Sequence, residues 1–257
     1  MVSFKGEGIV LRVRNIGEAD RIVTLYTAQK GKIRAAARGA RRIRNRLLSP
    51  TQVFTHGRYL VFPGKELHTL SQAEIINSYQ DFRDDLEKMA YASYICELLD
   101  TFTEEELPSV ELYALLLAAF SLGAQGRFPL AARAFEVRLM QESGYAPQLH
   151  HCLGCGCAMT GNLLFTAEGG VVCTQCAPQY QDALPLSNGT WELLKRLTEW
   201  DVARLGILHP TPAALGELER LMRKYIDFRL DYPLKSLAFL ETVRAMPAQK
   251  TDRSRSD

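Results

Sequence analysis

An α+β fold is predicted: a small β unit first, then a helical unit interrupted by a compact cysteine-rich insertion. Three observations lead there. The hydrophobic period changes from two to three or four at Asp81. Two Cys-x-x-Cys pairs, Cys152/Cys155 and Cys173/Cys176, lie between helical segments with seventeen residues separating them. Charge is divided unevenly. Residues 1–80 hold 14 Lys+Arg against 5 Asp+Glu, a net +9, and the remainder carries −7 within a total of +2.

The β unit is read over residues 1–79. In Gly8–Arg14, Ile9, Leu11 and Val13 alternate with Val10, Arg12 and Arg14, which suits a strand with two different faces. Asp20–Thr27 is rich in β-branched and aromatic residues. Lys30-Gly31 is a hairpin-type turn into a third run, Lys32–Gly39. Val53–Phe62, stopped by Pro63-Gly64, is the fourth, and Leu67–Ile76 the fifth. Five short strands with glycine-bounded turns indicate a small barrel or sandwich.

The helical unit spans 80–246. One helix is expected from Asp81 to Phe102, where Phe82, Leu86, Met89, Ala90 and Ile95 recur at helical spacing before the acidic run Glu104–Glu106 and Pro108. Others follow over Ser109–Gln125 and Pro129–Ser143, the latter stopped by Gly144. Trp191–Trp200, Ala213–Leu230 and Leu234–Met246 read the same way. The tail PAQKTDRSRSD, 247–257, is polar and expected to be disordered. No apolar run approaches the ~18–20 residues of a membrane span, and the N-terminus lacks a signal-peptide core, so a cytoplasmic protein is expected.

The insertion, at about 150–179, is expected to hold one zinc ion on Cys152, Cys155, Cys173 and Cys176. Two Cys-x-x-Cys turns bring four thiolates onto a tetrahedron, and the gap suits a small hairpin. Four sulfurs close the coordination shell, so the metal is read as structural rather than catalytic. Cys157 is a spare that replaces Cys155 only by altering the turn, and Cys96 reads as a buried core thiol. Gly156–Val172 contains no Lys or Arg, which argues against phosphate binding by the insertion. No phosphate-binding loop, dinucleotide fingerprint, GxSxG or HExxH occurs, and nothing nominates a catalytic residue. Asp20, between Glu18 and Arg21, is read as part of a loop ion pair.

RAAARGARRIRNRL, Arg34–Leu47, has six arginines and no acid. As a strand, Lys32, Arg34 and Arg38 share one face and Ile33, Ala35 and Ala37 the other. Gly39 then releases a basic loop, Arg41–Arg46. Such a face and loop form a positive groove for a sugar–phosphate backbone, since arginine forks bind phosphate oxygens without demanding a base. Tyr26, Phe54, Tyr59 and Phe62 are candidates to stack on bases, against the commoner role of strand aromatics as core.

GIVLRVRNIGEADRIVTLYTAQKGKIRAAARGARR (Gly8–Arg42), with its Gly17–Asp20 step and Ala37-Arg38-Gly39, resembles the RecO recombination-mediator family of bacterial DNA repair. So does FEVRLMQESGYAP (Phe135–Pro147), which leads into the cysteine pairs. The resemblance covers most of the chain. It implies an N-terminal OB-fold, a helical domain with a structural zinc knuckle, and a role without enzymatic chemistry. That role is binding single- and double-stranded DNA, annealing complementary strands and helping RecA load on DNA coated with single-strand-binding protein. RecR and the acidic C-terminal tail of single-strand-binding protein are the implied partners, and the nucleoid the implied location. Carried onto this chain, Lys32, Arg34, Arg38, Arg41 and Arg42 fall in the family's DNA-binding strand and loop. Arg44 and Arg46 lie just beyond, where the family is variable. Arg133 and Arg138 flank Phe135 as candidates for receiving the acidic tail, the alternative being ion pairs with Glu136 or Glu142. The alternative function is a scaffold whose basic face binds an acidic protein instead of DNA.

Overall fold

Five strands close a barrel at the N-terminal end of the computed structural model, which describes residues 3–246; the tail expected at 247–257 lies outside the described residues. They are β1 (Phe4–Ile16), β2 (Asp20–Thr27), β3 (Gly31–Ala37), β4 (His56–Phe62) and β5 (His68–Asn77). The order is β1-β2-β3-β5-β4, with β4 returning to β1. All pairs are antiparallel except β3–β5, which meets in parallel only at Ala35–His68 and Ala36–Thr69. This is a closed OB-like barrel rather than a sandwich.

β1 departs from the alternation expected of it. Its pairing with β2 shifts register between Val10 and Arg12, so Leu11 is the extra residue of a bulge. Val10 and Val13 therefore both turn into the barrel, beside Val23, Leu25, Ile33, Ala35, Tyr59 and Val61. Ile9 and Leu11 turn outward, yet are buried with Tyr26 against the helices. Beyond the bulge, Arg12 and Arg14 are exposed. A single inserted residue thus divides the outer face of β1 into an apolar docking half and a basic half.

The helical unit contains α1 (Gln80–Asp84), α2 (Leu86–Phe102), α3 (Val110–Ala124), α4 (Phe128–Glu142), α5 (Asn188–Glu199), α6 (Pro212–Asp227) and α7 (Lys235–Ala245). The single helix expected over Asp81–Phe102 is two. Asp85 is extended, with φ −117 and ψ 123, and its carboxylate accepts the Lys88 N–H at 3.0 Å, capping α2. Ser109, Ser187 and Thr211 cap α3, α5 and α6 in the same way. Gly144, at φ +82, ends α4, and the following Tyr145 N–H reaches back to Met140 O at 2.7 Å.

The barrel interior is a core of its own, and one side of the barrel's exterior joins the apolar core of the helices. Phe54, from the β3–β4 connection, meets Phe82 of α1 and Phe120 of α3 edge-on, at centroid distances of 6.3 and 6.1 Å. Phe82 also packs on Tyr79, Phe120 and Phe128. It is fully buried at the junction of both units. Phe82→Ala is expected to destabilise the protein by about 3–5 kcal/mol, through lost burial and the cavity left behind. A single loss of barrel and helical signals together in chemical denaturation would show that the shared core couples the two units.

Candidate nucleic-acid interface and metal centre

The basic loop is built on the end of the barrel. Ala40 and Leu47 are buried in the barrel core and plug that end. The side chains between them turn outward: Arg41, Arg42, Arg44 and Arg46 are exposed, as is Arg38 at the end of β3. Ile43, 91% exposed, sits among them. The β1–β2 turn holds the loop in place. Asp20 Oδ1 accepts the N–H of Gly39 at 2.7 Å, and Ala19 O accepts that of Arg41 at 2.9 Å. Arg21 Nη1 donates to Leu48 O and to Thr51 Oγ1, both at 3.1 Å. Asp20 and Arg21 therefore each grip the loop instead of pairing with one another. Gly39 adopts φ +67, and a Cβ there would lie 2.7 Å from the Asn45 amide nitrogen.

β3 presents the two faces expected of it, with Ile33, Ala35 and Ala37 inside and Arg34 outside. Cross-strand pairing aligns Arg12, Thr24 and Arg34 in one row of the outer face, with Arg14, Ile22 and Ala36 in the next. Arg12 and Arg14 thus extend the basic surface from the loop onto β1. Their place as the polar positions of the β1 alternation was the sequence signal for them.

Lys32 and Arg34 are less available than the loop arginines, because both are paired with carboxylates. Lys32, with a side chain 12% exposed, pairs with Asp100 at 3.1 Å and also donates to Asp100 O. Arg34 Nε pairs with Glu105 at 2.6 Å. The carboxylates come from α2 and the α2–α3 connection, which runs along the half of β3 that β5 leaves uncovered. There the Glu106 N–H donates to Lys32 O at 2.8 Å, and Glu106 also pairs with His68 at 2.9 Å. The connection passes so close that a Cβ on Gly31 would be 2.2 Å from Leu107 O. Among the aromatic candidates, Tyr26, Phe54 and Tyr59 are core residues. Phe62 is 45% exposed on β4, opposite Thr69 of β5, which in turn pairs with Ala36 of β3.

The cysteines lie in a compact insertion between α4 and α5. A hairpin of β6 (Leu163–Thr166) and β7 (Gly170–Val172) forms its centre, and β8 (Leu184–Leu186) adds to β6. The sheet therefore runs beyond the expected limit of 179. Gly170 crosses Gln148, whose carbonyl would be 2.2 Å from any Cβ at that position. Trp191 of α5 donates its indole N–H to Leu149 O at 2.9 Å, fixing the insertion to the bundle.

The sulfurs of Cys152, Cys155, Cys157 and Cys173 lie within 4.8 Å of one another. Cys155 and Cys173 are 3.9 Å apart. Zinc–sulfur bonds of ~2.3 Å in a tetrahedron require sulfurs roughly 3.8 Å apart, so the spacing fits such an ion. Cys176 lies outside that group but beside it: a Cβ on Gly154, in the first turn, would be 2.8 Å from its sulfur. Cys157, expected as a spare, is thus inside the group. Burial raises the Cys152 thiol, but the backbone N–H groups of Cys173, Cys155 and Gly154 outweigh it and bring the thiol down to about 6. That favours the thiolate a metal requires. Only cysteines contribute to this group among the described residues; neighbouring His150 instead pairs with Glu199 at 3.3 Å.

Comparison with known proteins decides the family. The family model described as recombination protein O N terminal matches residues 1–79, and that described as recombination protein O C terminal matches 83–238. The chain belongs to the recombination protein O family. Proteins named DNA repair protein RecO resemble it over nearly their whole length. That of Symbiobacterium thermophilum is 42% identical over 251 residues, covering 95% of this chain and 99% of the relative. That of Pelotomaculum thermopropionicum is 37% identical over 249 residues, covering 96% and 97%. The Bacillus pumilus protein is 35% identical over 244 residues, covering 94% and 95%.

Within this recombination protein O chain, the structure corrects the reading of Arg133. It is 3% exposed and pairs with Glu136 at 2.6 Å and with Glu219 at 3.3 Å. Tyr94 donates its hydroxyl to the same Glu136 oxygen at 2.6 Å. An arginine enclosed in this way has no surface to offer an acidic tail. Arg138 is half-buried and bonded to Gln141 at 3.3 Å. It lines a groove of about 340 Å³ that also contains Glu111, Glu142 and Asp201, so carboxylates already surround it. Burial pushes the Glu136 carboxyl up to about 7, against the opposing pull of Arg133 and the Tyr94 hydroxyl. Glu136→Ala would leave Arg133 poorly compensated inside the bundle. It is expected to cost about 3–5 kcal/mol in urea unfolding, while Arg138→Ala on the groove costs far less.

Proposed function

We propose that this chain is a DNA repair and recombination mediator with no chemistry of its own. It binds single- and double-stranded DNA without strong sequence preference, through the loop arginines and the outer face of β1–β3. One observation carries the reading. Arg38, Arg41, Arg42, Arg44 and Arg46 are all exposed at one barrel end, and no carboxylate pairs with them among the described residues. Arg12 and Arg14 continue the same surface. Phosphate neutralisation by these side chains supplies the affinity, and base identity counts for little. Ile43 is the apolar side chain placed to touch an unstacked base.

Neutralising phosphates on two complementary strands reduces their repulsion, which supports annealing. Helping RecA load on DNA coated with single-strand-binding protein, together with RecR, is part of the proposal, as is an interaction with the acidic tail of single-strand-binding protein. Arg133 is not its receptor, for the reason given above. The setting proposed is the cytoplasm, at the nucleoid; no described helix is long and apolar enough to cross a membrane. One structural zinc ion in the cysteine insertion completes the reading, with Cys152, Cys155 and Cys173 as ligands and Cys176 or Cys157 as the fourth. Held by thiolates alone, it would brace the insertion against the bundle and offer no open position to a substrate.

A second reading, an acidic protein as the ligand of the basic face, draws on the carboxylates of Asp100 and Glu105 already seated on Lys32 and Arg34. Fluorescence anisotropy with labelled single-stranded oligonucleotides of two unrelated sequences, over a range of salt, separates the two. Both oligonucleotides should bind, weakening steeply with salt; no binding at low salt would leave the acidic-protein reading. Combining Arg38→Ala, Arg41→Ala and Arg42→Ala should weaken binding and reduce the salt slope by about 2, at ~0.7 per phosphate contact on single strands. An unchanged slope would remove these residues from the interface. Glu105→Gln, by releasing Arg34, should tighten binding and steepen the slope.

A further inference from the structure

The cysteine insertion holds one more thiol than a tetrahedral ion can use. The sulfurs of Cys152, Cys155 and Cys173 lie within 4.8 Å of one another. Cys157 lies within 4.8 Å of all three. Cys176 closes the second Cys-x-x-Cys turn, next to Cys173. Its sulfur is packed against the backbone of the first Cys-x-x-Cys turn, where a Cβ on Gly154 would lie 2.8 Å from it. The two differ in setting: Cys176 is buried, and Cys157 is exposed.

Their placement follows from the local chain. The Cys152 N–H bonds to Cys157 O, and the Gly156 N–H to Cys152 O, both at 2.9 Å, folding Cys157 back over the first turn. Gly156 makes this possible at φ +72. On the other side, the Cys176 N–H bonds to Cys173 O at 3.1 Å, closing the second turn. Each fourth thiol is therefore carried by its own hydrogen-bonded turn, and neither turn must unfold for the other to serve.

We infer that Cys157 and Cys176 share the fourth ligand position of the metal, as alternative corners above a common triad of Cys152, Cys155 and Cys173. The inference rests on the zinc reading given under the proposed function. Passing the ion from one fourth thiol to the other keeps three thiolates bound throughout. Loss of either thiol alone then leaves a complete four-sulfur shell, and loss of both does not. The exposed member gives thiol-directed reagents a target whose modification leaves the metal in place on Cys176.

Full-length protein carrying Cys157→Ala, Cys176→Ala or both tests this, with zinc per chain measured by mass spectrometry and sulfur coordination by X-ray absorption. Each single variant should retain one zinc ion with four sulfurs, and the double variant should lose the ion or show three sulfurs. Loss of zinc or of one sulfur in either single variant would overturn the sharing. The unmutated protein supplies a readout independent of folding in the variants. Iodoacetamide should label Cys157 more slowly with zinc bound than after its removal; equal rates would overturn the inference. Failure of the unmutated protein to bind zinc at all would overturn the metal reading itself, a result distinct from either single-variant failure.

Discussion

The apolar seam between barrel and helices determines what every other surface of this protein can do. Ile9, Leu11, Tyr26 and Phe54 leave the barrel to pack among helical side chains. Burying such groups stabilises by roughly 1.5–3 kcal/mol each, enough together to set the attitude of one unit on the other. Because that half of the outer face is committed, its other half and the loop-bearing end are left to solvent. The position of the basic surface is thus a by-product of hydrophobic packing. The arginines need no electrostatic partner to hold them outward, since the plug residues Ala40 and Leu47 already do so.

This arrangement separates shape from charge. Asp20 and Arg21 fix the loop through main-chain groups and Thr51, leaving the guanidinium groups of Arg38, Arg42, Arg44 and Arg46 uncommitted. A preset backbone reduces the ordering entropy that binding would otherwise cost. Elsewhere the same residue type does opposite work. Arg133 is enclosed with Glu136, Glu219 and Tyr94, where desolvation is severe and both partners must be present for either to be tolerated.

Much of this was legible in the sequence, for reasons that vary by element. Alternating Ile33, Ala35 and Ala37 gave β3 its inner face, and Gly31 and Gly39 marked its ends, because a strand with one buried side has a strict period. Strand count and the helical bundle were readable on the same grounds. The bulge at Leu11 was not, since an inserted residue breaks the period without leaving a compositional mark. The break at Asp85 was hidden because Phe82 and Leu86 keep helical spacing across it. At the metal centre, the Cys-x-x-Cys spacing announced convergence, but through-space proximity brought in Cys157, which local spacing had set aside. Arg133 was misread because charge alone does not reveal burial; its partner at i+3 was visible, and the distant Tyr94 and Glu219 were not.

The α2–α3 connection has an effect beyond charge. β5 covers the edge of β3 only at Ala35 and Ala36, and the connection supplies main-chain cover at Lys32. An uncovered edge is a template on which another chain can add a strand. Cut away after residue 79, the barrel would bare that edge together with the apolar side chains of Ile9, Leu11 and Tyr26. Its solubility as a separate piece is therefore encoded outside its own boundaries, in a connection that follows it in the chain. The OB-like barrel is a recognisable unit of architecture without being a free-standing module, and dissecting this protein at the family boundary would trade a binding surface for an aggregating one.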